Sequence, residues 1–384
     1  MLAVGLMSGT SLDGVDAALV EILPRGAGYD VRLRKFLTRP FERDLRDALL
    51  AVLPPNAGGL AALAHLHRSL GRAYAAAVGV IAPPDPIGYV ASHGQTVWHD
   101  GAAHVTLQVG DAFEIREAAK TTVCYDFRSA DCVAGGHGAP LTAYVDALLL
   151  NSASQDRVAV NLGGIANVTL LKAGARPQDV RGFDTGPANM LLDAFVRDRT
   201  RGVQSFDRGG ASAAAGRVDD ALLHAMLADA YFEASPPKTT GRERFGAQFL
   251  RLHAEALARL SLEDGLATLT ELSAATIAQA VAREGFGDAR VFVSGGGARN
   301  PVLLSRLATR LGRSRVETTD VLGMPVEAKE AIVFAVLGYE TLRGRAANAF
   351  GATGAARRVA LGAIAPYGLR GLLAQIESEC AGAA

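Results

Sequence analysis

Ser8, Thr10, Ser11, Asp13 and Asp16 place five oxygen-bearing side chains in the run MSGTSLDGVD, interleaved with Gly9 and Gly14. Hydroxyls and closely approachable backbone N–H groups suit an anion. Two carboxylates can hold a hard cation through water. Together they fit a nucleotide phosphate tail with its magnesium. The same residues would equally make an ordinary glycine-rich hairpin with buried hydroxyls. The flanks LAVGL and VDAALVEI read as strands, so Gly9, Thr10, Ser11, Leu12, Asp13, Gly14, Val15 and Asp16 cover the turn and the start of the second strand.

A second run repeats the shape. VAVNLGGIANVTLL is apolar strand, glycine turn, apolar strand, with Asn161, Gly163 and Gly164 at the turn. Two such hairpins, each opening about half of the chain, predict a duplicated nucleotide-binding architecture. A third glycine cluster, Gly295, Gly296 and Gly297, follows the strand-like RVFV and leads through Asn300 into PVLLSRLATRL. A strand, a glycine turn and a helix N-terminus form a seat for a nucleotide. The third glycine of a dinucleotide fingerprint is replaced by Asn300, and no GxxxxGK[ST] occurs, so neither a dinucleotide motif nor a P-loop is present.

Four further places could carry chemistry. Asp184 in RGFDTGP falls between a strand and a helix start, where a carboxylate acts either as a general base or as a cap. His93 and Gln95 in ASHGQT sit at a strand exit, where they could bind a polar substrate or be satisfied locally. Arg128 and Asp131 in DFRSAD could hold a carboxylate or sugar hydroxyl, or form a salt bridge. Glu330 opens a helix, where an acidic residue also complements the helix dipole. His65 and His67 have no third partner for a metal site, and KTTGRE reads as a polar loop.

These groups need elements to position them. Residues 1–40 read as strands turning at Pro24–Gly28, and residues 42–82 as helix broken at Pro54-Pro55. GYVASHGQTVWH reads as a strand running into a polar loop. VTLQVGD and TTVCYDF follow as strand signals, and LTAYVDALLL as a helix. Pro187 suits the first position of a helix PANMLLDAFVRDR. Residues 245–260 and 268–284 have helical spacing, as does EAKEAIVFAVLGYETLRG, while the Ala-rich run 211–216 is a helix start or loop. Strands alternating with helices predict α/β sheets covered by helices.

The chain has 384 residues, enough for two domains, with 49% hydrophobic and 20% charged residues, a globular balance. Thirty-nine basic and 39 acidic residues cancel, which argues against nucleic acid or an anionic membrane as partner. Only five lysines occur, so a phosphate site would rely on backbone amides, hydroxyls, arginine and metal. Cys124, Cys132 and Cys380 make no even disulfide set, the N-terminus has no basic signal-peptide region, and no apolar run is long enough to span a membrane. A cytoplasmic protein is expected.

Taken together, MSGTSLDGVD, SHGQT, DFRSAD, GGHGAPL, NLGGIANVT, GFDTGPAN, TTGRE, SGGGARN and the AKEAI helix start resemble the anhydro-N-acetylmuramic acid kinases. The motifs run in order over most of the chain and are specific as a set; only the last fifty or so residues match less distinctively. The resemblance implies two actin-like, ribonuclease H-like α/β domains of shared topology around a nucleotide cleft. The expected division is 1–130 and 131–349, with about 350–384 completing the first. It implies ATP with Mg2+ at Gly9 through Asp16, the adenosine side at SGGGARN, and no protein side chain assigned as a direct metal ligand. Asp184 matches the general base that activates water. The sugar falls near Arg128, Glu330 and the SHGQT loop with His93 and Gln95. The implied reaction opens the 1,6-anhydro ring with water and phosphorylates the freed O6, within recycling of cell-wall fragments. The expected partner is thus a small-molecule sugar, with no nucleic acid and no membrane, and a homodimer is left open. A kinase of the same fold acting on another amino sugar, or an actin-like nucleotide switch binding a protein, are the rival readings. Such a switch would carry a peptide-binding domain or a polymer surface, and 384 residues leave little room for the former.

Overall fold

The computed structural model describes residues 1–9, 11–25, 28–53, 58–312 and 315–382, with the side chains of Gln178 and Glu243 left aside. Thr10 and Pro54-Pro55 therefore lie outside the described residues. The chain forms two compact units, Met1–Val145 with Ala328–Ala384, and Asp146–Glu327.

In the first unit, β1 (Leu2–Ser8), β2 (Gly14–Arg25) and β3 (Gly28–Pro40) form an antiparallel meander. β4 (Tyr89–Asp100) then adds parallel to β1; β5 (Val105–Val109) hairpins back onto the far end of β4, and β6 (Thr122–Tyr125) lies parallel to β4. The short strand Ala363–Ala365 closes the edge against β6. The helix Leu60–Ile81 covers one face, burying Leu66, Leu70, Tyr74, Val78 and Ile81 against Val4, Leu6 and Leu19. These five recur at near-helical spacing, which is what a one-sided helix requires.

The second unit repeats the plan. β7 (Arg157–Leu162), β8 (Ile165–Leu171) and β9 (Arg181–Pro187) form an antiparallel meander. β10 (Arg290–Ser294) and β11 (Val316–Thr318) follow in parallel. The strand orders β3-β2-β1-β4-β6 and β9-β8-β7-β10-β11 therefore share one topology and one pattern of directions. Both units have the ribonuclease H-like arrangement. Helix Leu262–Arg283 buries Ala274, Ile277 and Val281 against Val158, Val160 and Val168. It begins at residue 262, earlier than its apolar spacing suggests, because the Ser261 hydroxyl caps Asp264 N–H at 3.0 Å. An aromatic cluster of Phe195, Tyr231, Phe232, Phe245 and Phe249 packs beside it.

Several elements depart from the sequence-based expectation. The SHGQT segment is strand throughout: β4 runs to Asp100 because β5 pairs with it, and its polar side chains bond internally. Pro187 closes edge strand β9 opposite Ile165, and the helix starts only at Asn189. A proline is tolerated there because an edge strand has no second neighbour demanding its N–H. Residues 245–260 divide into short helices at Gly246, which is extended, and at His253. The run Ala211–Ala215 is a short helix.

The unit boundaries fall near 145 and 328, where the sequence suggests 130 and 350. Helix Lys329–Leu342 explains the second difference. It lies on the first unit's sheet so closely that a Cβ on Gly5 would come within 1.9 Å of Ala331 O, and Tyr89 donates to Ala335 O at 2.6 Å. Glu330 thereby belongs to the first unit.

Candidate active site

The β1–β2 turn carries Gly9, Ser11, Leu12 and Asp13, with Ser11 and Asp13 exposed and Leu12 turned into the core. The Ser11 hydroxyl donates to Asp13 Oδ1 at 2.7 Å. Asp16, already in β2, accepts from the Thr38 hydroxyl of β3 at 2.5 Å. Gly14 has no room for a side chain, since its Cβ would lie 2.3 Å from Arg39 O. The turn is held from β4. Gln95 is buried; its Oε1 accepts from Ser8 at 2.5 Å and its Nε2 donates to Gly9 O at 3.3 Å. The structure thus places Gln95 beneath the hydroxyl turn, as its brace. Asp13 and Asp16 offer hard oxygens suited to Mg2+ held through water. Among the described residues no group of three or more His, Cys, Asp or Glu forms a metal cluster, His65 and His67 included.

His93 and Arg128 meet directly. Arg128 Nε donates to His93 Nε2 at 3.0 Å, and His93 Nδ1 contacts Gly94 O at 2.8 Å. Both imidazole nitrogens are therefore spent, and the bonding fixes a neutral ring with its proton on Nδ1. Burial, then the Arg128 charge, hold the His93 pKa well below its ordinary value. Phe334 stacks on the ring at 4.5 Å. Arg128 Nη1 donates to Gly138 O at 2.6 Å. Burial lowers the Arg128 pKa, opposed first by the Glu330 charge. Burial raises the pKa of Glu330, opposed by Lys329 and Arg128. His93, Arg128 and Glu330 form one electrostatic neighbourhood. Beside it, a cavity of about 130 Å³ is lined by Ser92, His93, Gly94, Gln108, Asp126 and Ser129, among others. Asp126 there has φ of 52°, a left-handed conformation that costs a non-glycine residue energy and clusters at functional sites.

In the second unit, Asp184 stands in β9 and is clasped by the KTTGRE loop. Its Oδ2 accepts from Thr240 N at 2.9 Å, its own N–H donates to Lys238 O at 3.1 Å, and Tyr231 donates to its carbonyl at 2.7 Å. Lys238 anchors the loop by donating to Tyr231 O at 2.9 Å. Burial lowers the pKa of that ammonium. The sequence marks this loop as polar; its bonding to Asp184, 56 residues away, has no local signal.

The NLGG turn gives its carbonyls to the following helix: Asn189 N donates to Gly163 O, and Ala188 N and Met190 N to Gly164 O. The third glycine cluster packs against this turn. Gly295 has φ of 81°, and a Cβ there would lie 2.5 Å from Asn161 Oδ1 and 2.9 Å from Leu162 O. A Cβ on Gly297 would lie 2.7 Å from the Leu162 side chain, whereas Gly296 is open. Asn300 Oδ1 caps the helix Pro301–Arg310, accepting from Val302 N and Leu303 N at 3.1 Å. The residues therefore fall into two groups by unit, Gly9 and Ser11–Asp16 with His93, Gln95, Arg128 and Glu330 in one, and Asn161–Gly164 with Asp184 and Gly295–Asn300 in the other.

Two α/β units of one topology thus carry hydroxyl and glycine turns at matching places, and the comparison with known families gives the class, a phosphotransferase with an alcohol acceptor. The family model described as anhydro-N-acetylmuramic acid kinase matches residues 1–367. A Xanthomonas campestris pv. campestris protein of that name is 46% identical, over 95% of this chain and 97% of its own length. A Streptomyces coelicolor namesake is 43% identical over 95% and 94%, and one from Gloeobacter violaceus 43% identical over 96% and 99%. The chain belongs to the anhydro-N-acetylmuramic acid kinase family, and it is a kinase. No helix among the described residues is long and apolar enough to cross a membrane.

Proposed function

We propose that the protein uses ATP to convert 1,6-anhydro-N-acetylmuramic acid into N-acetylmuramic acid 6-phosphate and ADP, with Asp184 as general base. The carrying observation is the family match from residue 1 to residue 367, which takes in both the hydroxyl turn and Asp184. Water bonds to the anomeric carbon as its proton passes to Asp184; the C1–O6 bond breaks, and O6 bonds to the γ-phosphorus as ADP leaves. Phosphoryl transfer depends on alignment and charge stabilisation. The backbone of Gly9–Asp13 and the Gly163–Gly164 turn would supply amides to the phosphates, and the Gly295–Gly297 cluster with Asn300 would face the adenosine. Asp13 and Asp16 would hold Mg2+ through water, and that ion supplies charge neutralisation on the phosphates when bound.

Ring opening needs one positioned base. Thr240 N–H holds the Asp184 carboxylate in a defined orientation through Oδ2. Arg128, held by His93, would bind sugar oxygens, with Glu330 beside it. Two carboxylates flanking a glycosidic carbon are a recurring solution for such chemistry, and Glu330 is assigned the assisting role. The cytoplasm, where cell-wall fragments would be recycled, is the proposed compartment, consistent with three free cysteines. The test is ADP release with the anhydro sugar, followed by mass spectrometry. The expected product is heavier than the sugar by one water and one phosphoryl group. Addition of the phosphoryl group alone would refute ring opening by water, and equal turnover of N-acetylglucosamine would refute the substrate.

A further inference from the structure

Asp131 is a carboxylate with no solvent exposure, and among the described residues no ion pair reaches it. Burying a carboxylate is costly unless its oxygens are bonded. Here three donors meet it. Oδ2 accepts from Gly138 N at 2.9 Å; Oδ1 accepts from Asn348 Nδ2 at 3.0 Å and Thr353 Oγ1 at 2.8 Å. Its backbone carbonyl also accepts from Gly136 N at 2.9 Å. Gly136 must be glycine, because a Cβ would lie 2.2 Å from Oδ2.

The bonds join three stretches far apart in sequence. Asp131 lies one turn after Arg128, Gly138 belongs to GGHGAPL, and Asn348 and Thr353 belong to the C-terminal stretch that returns to this unit. That stretch is itself fastened: His137 N donates to Thr353 O and Ala356 N to Ala134 O, each at 2.8 Å. Gly138 is the pivot. Its N–H goes to Asp131 and its carbonyl receives Arg128 Nη1 at 2.6 Å. A chain of hydrogen bonds thus runs from Thr353 and Asn348 through Asp131 and Gly138 to Arg128, and on to His93. With Nε on His93 and one Nη1 hydrogen on Gly138, the guanidinium is fixed on two sides and keeps Nη2 for a ligand.

We infer that Asp131 is a positioning residue for sugar binding, setting the Gly138 carbonyl that aims Arg128, with Asn348 and Thr353 orienting the carboxylate. The inference rests on the reading of Arg128 as a sugar-binding residue. It gives the C-terminal stretch, which carries no distinctive motif, a defined task.

The test is a double-mutant cycle of Asp131→Asn and Arg128→Lys, with KM measured separately for the anhydro sugar and for ATP. Arg128→Lys should raise the sugar KM. Asp131→Asn should raise it about tenfold, the scale of a hydrogen bond to a charged group, with the ATP KM within about twofold. In the Arg128→Lys background Asp131→Asn should add nothing, since coupled residues are not additive. An equal rise of the sugar KM in both backgrounds, or a parallel rise of both KM values, overturns the inference and leaves Asp131 as scaffold only. An effect of Arg128→Lys with none from Asp131→Asn overturns the inference alone. No effect of Arg128→Lys removes the reading beneath it as well. If Asp131→Asn fails to fold, Thr353→Val takes its place in the same cycle, with an expected rise of about threefold from one lost bond; an unchanged sugar KM there overturns the inference too.

Discussion

The two units share one strand order, yet they hold their first turns by opposite means. After β1, the turn of Gly9–Asp13 is carried by a side chain: Gln95, from the neighbouring parallel strand, bonds Ser8 and Gly9. After β7, the turn of Gly163–Gly164 is carried mainly by backbone, through the amides at 188–190 and the close approach of Gly295, with one side-chain bond from Asn189 Nδ2 to Leu162 O at 3.1 Å. The strands that do the holding correspond. β4 ends its core stretch as Ser92-His93-Gly94-Gln95, and β10 leads into Ser294-Gly295-Gly296-Gly297, each with a buried serine and a positive-φ glycine. One copy has filled that corner with His93 and Gln95; the other has emptied it to glycine. A corner filled by bonded side chains is braced by them, whereas a glycine corner admits a neighbouring group at close range. The same topology thus holds this corner with side chains in one unit and mainly with backbone in the other.

Asp184 is proposed as the general base, so its loss should have the largest effect. Asp184→Asn should lower kcat by about a thousandfold, within the usual range of about 10²–10⁴ for removing a general base, while ATP still binds by equilibrium titration. Near-normal ADP release would show that the base lies elsewhere. Next comes Gly295→Val. Its φ of 81° and the approach of Leu162 O leave no room for a side chain, and the strain should cost about 1–3 kcal/mol and raise the ATP KM more than the sugar KM. Gly174→Val is the control, because Gly174 has a similar φ of 71° but open space around it. Equal losses in denaturant midpoint would mean that backbone conformation alone, without the crowded corner, sets the cost.

Gln95→Leu examines the other corner. Removing the carboxamide leaves the Ser8 hydroxyl and Gly9 carbonyl without it, at about 1–3 kcal/mol if they stay dry. The affected kinetic constant should be the ATP KM. A rise confined to the sugar KM would return Gln95 to the substrate role suggested by its motif.

The bonds of Gln95 show where sequence is legible and where it is not. The glycine turn leading into PVLLSRLATRL announces a helix start, and a helix begins at Pro301. Asp184 at a strand end before a helix is visible too, because both rest on neighbours within a few positions. Gln95 beneath Gly9, Asp131 beneath Thr353 and Thr240 on Asp184 are bonds over 86, 222 and 56 positions. No periodicity encodes such pairs. The polar letters of SHGQT look like a loop because their partners are invisible until β1 and Arg128 arrive beside them.

His93 separates the two halves in a further way, by pH. It is 3% exposed, and burial followed by the Arg128 charge depresses its pKa, with the Gly94 carbonyl opposing. In the unfolded chain a histidine titrates near about 6.5. Above that value both states are neutral at His93 and its contribution to stability is constant. As pH falls below about 6.5 the unfolded state takes up a proton that the folded state refuses, so stability declines toward the depressed folded value. His93→Gln should leave a shallower decline between about pH 6.5 and 5, by at most one proton in the slope of unfolding free energy against pH. The readout is the slope, so a uniform loss of stability in the variant does not disturb it. An unchanged slope would mean that His93 takes up its proton in the folded protein as readily as in the unfolded chain, and so is not held neutral by Arg128.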